Sequence, residues 1–306
     1  MKKVFLPGFI ILFMTAFFMA SPVSGEETEG SDKCNYFLIF QLTEYNAKLS
    51  DAVDYFFEKI LNPGDQLLIL SPLKPYNYSQ KTLQTQPKEK LIEMTKKILK
   101  RDIASNAAYH QQILNAMTQI VISIAEELGT SPTGSSASGG SRLESQTKAY
   151  LVNYRQLLEN LHNLRKLNED LFLKLAELFK KTTGKNRLYI FYQKELRIIP
   201  NRETMDVLLE NRDLKFDANE VFIQDSTKEF INVERVSHVL KESLVTLSFF
   251  YLNKQEKRRR DLEYKEFSTD IYNVFSKLAR ATGGIVISTS KPEAALKKAA
   301  EAEAKK

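Results

Sequence analysis

A single cysteine, Cys34, is all the thiol this 306-residue chain carries. One thiol closes no intramolecular disulfide, which excludes a disulfide-stapled scaffold. Ser31-Asp32-Lys33 ahead of it lacks the small, apolar residues of a lipidation box. Cys34 therefore reads as a pre-strand residue without a chemical role, with an intermolecular disulfide as the alternative. Histidine is scarce too: His110, His162 and His238 fall on three separate predicted helices, with no His-x-x-x-His pair or Cys/His cluster, so a zinc site lacks material. A Gly-x-x-x-x-Gly-Lys-Ser/Thr phosphate loop and a Gly-x-Ser-x-Gly nucleophile elbow are both missing. Asp51/Asp54 and Glu126/Glu127 read as solvated charge on polar helix faces. With no catalytic constellation, the chain is expected not to be an enzyme.

Long apolar runs are confined to the start. Lys2-Lys3 precedes an almost wholly apolar Val4 to Ala20, and Val23 and Gly25 offer small residues at −3 and −1 for cleavage before Glu26. Residues 1–25 are read as a secretory signal, 26–34 as a polar N-terminal segment, and the destination as periplasmic or extracellular. No later segment approaches the roughly 18 uninterrupted apolar residues of a spanning helix. The formal charge of +6 falls to +4 once Lys2 and Lys3 leave with the signal. The dense basic run Lys254 to Arg260 is followed by Asp261, Glu263 and Glu266, so it reads as a solvated loop rather than a nucleic-acid groove.

What is present is alternation of strands and helices. Tyr36-Phe-Leu-Ile-Phe40 is continuously apolar, as in a strand buried on both faces. An amphipathic helix with Leu49, Val53, Phe56, Phe57 and Ile60 follows, then Asn62-Pro-Gly-Asp65 and the strand Gln66 to Leu70. Pro75 to Ser79 reads as a polar, aromatic loop. Helices are predicted at 88–100, 103–128 and 143–181, the last two joined by the Gly/Ser-rich tip 129–142. Tyr150, Tyr154, Leu157, Leu161, Leu164, Asn168, Leu171, Leu175 and Leu178 space as a heptad seam interrupted by Asn168. That seam suits an intramolecular hairpin between 103–128 and 143–181, or an intermolecular coiled coil making a homo-oligomer. Further strands are predicted at Arg187 to Tyr192, Leu244 to Leu252 and Ile285 to Ser288; 196–225, with short apolar bursts at Leu196 to Ile199 and Val221 to Ile223, reads as an irregular connection with weak strands or short helices. Helices are predicted near 230–240, at 267–281 and at 292–300, and 301–306 is a charged tail. The fold class implied is α/β: a doubly wound, mainly parallel sheet flanked by helices, with a long helical hairpin inserted.

In such sheets ligands bind beyond the carboxyl ends of strands, which directs attention to Gln41-Leu-Thr-Glu-Tyr-Asn46. The order of Tyr36 to Pro72 at the front and of Val245 to Leu252 with Tyr272 to Ser288 at the back resembles a divergent von Willebrand factor A-like domain of secreted bacterial proteins. Lys291 to Leu296 is similar to that family's terminal helix start. The resemblance covers about 36–85 and 186–300. It implies a discontinuous A-like domain over 35–86 and 184–300, with 87–183 a helical excursion.

The resemblance also implies a place for Mg²⁺ or Mn²⁺, in a metal-ion-dependent adhesion site that binds an acidic residue of the partner. The family's Asp-x-Ser-x-Ser positions fall here on Gln41, Thr43 and Tyr45. Thr43 keeps a hydroxyl, but Gln41 brings no anionic oxygen and Tyr45 is bulky, a set ill suited to a hard cation. The fourth-strand Asp position falls near Gln193-Lys194, and the Thr position near Ser105 or Asn106. The expected function is a metal-independent protein-binding module of adhesion or scaffold type. Its contact loop is Gln41, Thr43, Glu44, Tyr45 and Asn46, and it needs no cofactor. The alternatives are an assembly subunit oligomerising through the 143–181 seam and a metal-dependent adhesin with altered ligands, Glu44 among them.

Overall fold

The structure, a computed structural model, describes residues 33–130, 140–165, 167–224, 231–254 and 262–304. The segment read as a secretory signal lies outside them.

The main sheet has six strands: β1 (Cys34–Gln41), β2 (Gln66–Leu70), β3 (Pro75–Tyr78), β4 (Lys185–Gln193), β6 (Val245–Leu252) and β8 (Val286–Thr289). Their spatial order is β3-β2-β1-β4-β6-β8. All neighbours are parallel except β3, an antiparallel edge strand folded back on β2. That edge is the stretch expected to be a loop. Its Pro75 starts the strand, where a missing N–H is tolerated on a sheet edge.

The continuous apolar runs are explained by burial on both faces. Tyr36, Leu38 and Phe40 of β1 enter one core with Tyr189, Phe191 and Phe250; Phe37 and Ile39 enter the other with Leu188, Ile190 and Phe249. The first face is covered by α1 (Ala47–Tyr55, continuing as a π-turn over Phe56–Ile60), the start of α3 (Lys88–Glu127) and α10 (Pro292–Ala304). The second is covered by α5 (Glu169–Phe179), α8 (Val233–Glu242) and α9 (Thr269–Ala281). This is a doubly wound α/β fold. Between β6 and β8, Thr282-Gly283-Gly284 turns the chain. Gly283 has φ +76°, and a Cβ on Gly284 would lie 1.8 Å from the Leu247 carbonyl, so the glycines are set by backbone geometry.

Between β3 and β4 come α2 (Gln80–Thr85), α3 (Lys88–Glu127) and α4 (Gly140–Leu164), with α5 following. The two helices expected at 88–100 and 103–128 are one: nothing in Arg101-Asp102 breaks the backbone, and α3 runs for 40 residues. The single helix expected over 143–181 is two. Asn168 is not a polar residue in a coiled-coil seam. It is the N-cap of α5, accepting from the Leu171 N–H at 3.0 Å. The hairpin of α3 and α4 packs within the chain, burying Met117, Val121 and Ile124 against Leu151, Tyr154 and Leu161.

The stretch 196–225 is more ordered than its sequence suggested. β5 (Leu196–Pro200) pairs antiparallel with β7 (Leu262–Glu266) in a small second sheet, followed by α6 (Arg202–Glu210) and α7 (Lys215–Ala218, continuing as a π-turn over Asn219–Ile223). Ile198, Leu208, Val221, Phe222 and Leu262 share a third core with the distal hairpin. The Tyr154 hydroxyl donates to the Ile198 carbonyl there. The helical excursion is therefore half of a cap whose other half comes from 196–223 and β7.

Candidate functional site

The strand order reverses between β1 and β4, so the sheet's topological switch point lies beyond Gln41 and Gln193. Both side chains are buried. Gln193 Oε1 accepts from the Thr43 N–H at 2.9 Å and from the Thr43 hydroxyl at 3.0 Å, while its Nε2 donates to Glu44 at 3.3 Å. Gln41 Nε2 reaches the Leu164 carbonyl at the end of α4, at 3.2 Å. Asn106 of α3 donates to the Leu42 carbonyl at 3.0 Å. Residues named from four separate stretches of sequence thus converge at the strand ends, but they bond to one another and to backbone.

Lys254, just past β6, supplies the charge. Its Nζ donates to Thr43 Oγ1 at 3.2 Å and lies 3.3 Å from a Glu44 oxygen. The lysine side chain is 20% exposed and the glutamate 49%. The expected contact loop divides accordingly. Glu44 stands in solvent and Thr43 is half-buried with its hydroxyl engaged. Tyr45 packs on the apolar core beneath, where burial raises its pKa. Asn46 caps α1, accepting from the Leu49 N–H at 3.1 Å. Sequence reasoning missed Lys254, because its position opening a basic run made it look like ordinary solvated charge.

A second polar group borders these strand ends. Arg165, following α4, donates to Glu195 at 2.8 Å, to Asp270 at 2.7 Å and to the Phe267 carbonyl at 2.7 Å. Its guanidinium also lies 4.5 Å from the centre of the Phe267 ring. Burial opposes the charge of Arg165, but Glu195, Tyr192 and Asp270 outweigh it and push its pKa up. Glu195 is tied in turn to the Tyr192 hydroxyl at 2.6 Å. His162 packs on Phe267 and donates from Nδ1 to the Leu158 carbonyl at 3.0 Å. His110 of α3 is 6% exposed, and its Nε2 makes no hydrogen bond to any described residue. Burial, then Lys254 and Arg165, hold its pKa down at about 4.

A third cluster ends β2. Asp102 of α3 accepts from Ser71 and Tyr76 at 2.6 Å each and from Arg101 Nε at 2.9 Å. Burial works to raise its pKa, but these donors hold it below the ordinary carboxylate value. Among the described residues no three His, Cys, Asp or Glu side chains are placed to share a metal ion. Among them, too, no helix is long and apolar enough to cross a membrane.

No family model and no curated protein matches the sequence. Among solved structures the chain is similar to an aerotolerance-related membrane protein from Bacteroides fragilis, crystallised with multiple mutations to serines. The identity is 8% over 90% of this chain and 100% of that one, with a TM-score of 0.34. A superposition at that score sets no residue of one chain against a counterpart in the other.

Proposed function

We propose that this chain is an exported protein-binding module, a degenerate A-like domain that contacts its partner through the strand-end loop 41–46 without a divalent cation. The signal-like residues 1–25 support export. The observation that carries cation independence is Lys254. Its ammonium already engages the hydroxyl of Thr43 and the carboxylate of Glu44, the oxygens a metal at this position would draw on. Gln41 and Gln193, which stand where carboxylates would be required, are neutral and hydrogen-bonded. A tethered ammonium leaves the loop ordered, with Glu44 held by Lys254 and Gln193 yet exposed to meet a protein surface.

Assembly through the 143–181 seam draws less support. Tyr154, Leu161 and Leu175 are buried inside the chain, and Leu157, Leu164 and Leu171 are partly covered by the same cores. The test is retention of a partner from an envelope extract of the exporting cell by the immobilised chain. The same protein is expected to be retained with and without EDTA, and lost when Glu44 is replaced by Arg. Retention that requires Mg²⁺ or Mn²⁺ would instead establish the adhesin with altered ligands. Retention indifferent to Glu44→Arg would overturn the proposed loop.

A further inference from the structure

The chain passes repeatedly between the sheet cores and the cap core, and polar residues mark four of the crossings. On α3, Ile103 belongs to a sheet core and Leu114 to the cap core, with His110 between them. From α4 to α5, Leu161 lies in the cap and Leu167 in a sheet core; His162 and Arg165 lie between. From β4 to β5, Tyr192 and Ile198 sit on either side of Glu195. From β7 to α9, Phe267 packs on the cap and Ile271 on the sheet, and Ser268 and Asp270 occupy the gap. The joint between cap and sheet is thus a belt of ionisable and hydrogen-bonding groups between two largely apolar cores, with the charged side chain of Arg197 buried within the cap itself, on the Val221 and Phe222 carbonyls.

That belt lies at the carboxyl end of the sheet, over the switch point. Gln41 is held by the end of α4 and Leu42 by α3, so the cap sits on the end of β1. Arg165 is its central tie, reaching Glu195 on one crossing and Asp270 and the Phe267 carbonyl on another. Two of the three histidines stand beside this tie, one on each arm of the hairpin. His238 is elsewhere, 73% exposed on α8 and paired with Glu242.

We propose that the cap is a hinged lid over the switch point, and that protonation of His110 and His162 loosens its joint. The groups facing each histidine set the sign. His110 is faced by Lys254 from the loop after β6 and Arg165 from the segment after α4, both cations. Its Nε2 has no acceptor among the described residues to receive a new proton. His162 is faced by Arg165, opposed by Asp270 and Glu195, and by the Leu158 carbonyl. Asp270 binds Arg165 through Oδ2 and leaves Oδ1 without a hydrogen bond to any described residue, yet burial and Arg165 outweigh both carboxylates, so a proton on His162 is disfavoured while the joint stays closed. Both titrations crowd positive charge around Arg165, and separating cap from sheet relieves the crowding by admitting water.

The experiment is hydrogen–deuterium exchange of the full chain from pH 7.5 to 4.5, corrected for intrinsic exchange. As pH falls, peptides of the distal α3, α4, β5 and α6 are expected to lose protection at least about tenfold more than peptides of β1, β4 and β6. His110→Gln/His162→Gln is expected to flatten that difference, and His238→Gln to leave it unchanged. Cap and sheet losing protection together would overturn the proposal, as would an unchanged profile in the double variant. Should that variant not fold at pH 7.5, histidine titration by NMR in the unmodified chain decides: ordinary titration of His110 and His162 would overturn the proposal, and titration of both below the usual range, with cap amides shifting over the same pH interval and sheet amides not, supports it.

Discussion

Arg165 and Glu195 meet at 2.8 Å with side chains only 5% and 11% exposed, and the pair joins the end of α4 to the corner between the two sheets. Removing one partner of such a pair strands the other in low dielectric. Arg165→Met is therefore expected to cost about 3–5 kcal/mol, because both Glu195 and Asp270 lose their counter-charge. Adding Glu195→Gln to it should restore part of the loss. Urea unfolding of the single and double variants checks this; additive losses would show that the ion pair is not what holds the corner.

His110 makes stability depend on pH with a defined sign. Its folded pKa, about 4, lies below its ordinary 6.5. The unfolded chain therefore binds the proton more readily. The contribution is fully present above pH 6.5, declines as pH falls, and is gone once pH passes through about 4. The shift corresponds to about 3 kcal/mol. His110→Leu should flatten the stability profile across that interval, as read from denaturant midpoints at several pH values.

Leu244 ends α8 in the left-handed region, with φ +52° and 78% of its surface exposed. Its N–H bonds the Lys241 carbonyl at 2.9 Å, the geometry in which helices commonly carry glycine. The side chain packs little and its Cβ crowds the backbone. Leu244→Gly is expected to stabilise by about 1 kcal/mol, seen as a higher thermal midpoint with unchanged secondary structure. A fall in that midpoint would mean the exposed leucine contributes more than its conformation costs.

Gly284 tolerates no side chain. Its missing Cβ would overlap the Leu247 carbonyl of β6, a backbone atom that can move only with the strand. Gly284→Ala should cost about 2 kcal/mol or more by the overpacking seen in tight interiors. Gly64→Ala is the control, since its Cβ would meet nothing within 4 Å. A small loss at Gly284 would indicate that the turn before β8 can shift.

The elements were legible in the sequence where one signal dominated. β1, β2, β4 and β6 are continuous apolar runs, and burial on both faces of a parallel sheet requires that pattern wherever the strand sits. The Thr282-Gly-Gly284 turn was equally plain. β3 and β7 were not, because edge and two-stranded pieces carry polar, aromatic and charged residues whose strand geometry comes from their partners, while β5 showed only as a short apolar burst. Asn168 misled for a related reason: each helix carries its own apolar stripe, α4 into the cap core and α5 into a sheet core, and the two stripes happen to keep heptad spacing across the break. At the candidate site, the loop 41–46 was visible from its place after a strand, while Lys254 and His110 carry no local pattern.

By itself the sequence determined a doubly wound sheet, its turn glycines and the absence of carboxylates at Gln41 and Gln193, since each follows from residue type and spacing within one segment. Only the tertiary structure decided that Lys254 meets Thr43 and Glu44, and that 196–223 joins the hairpin in a cap. The belt of Arg165, Glu195, Asp270 and two histidines at its joint was decided there too. Those contacts join residues far apart in the chain, and long-range electrostatics and packing leave no periodicity to read.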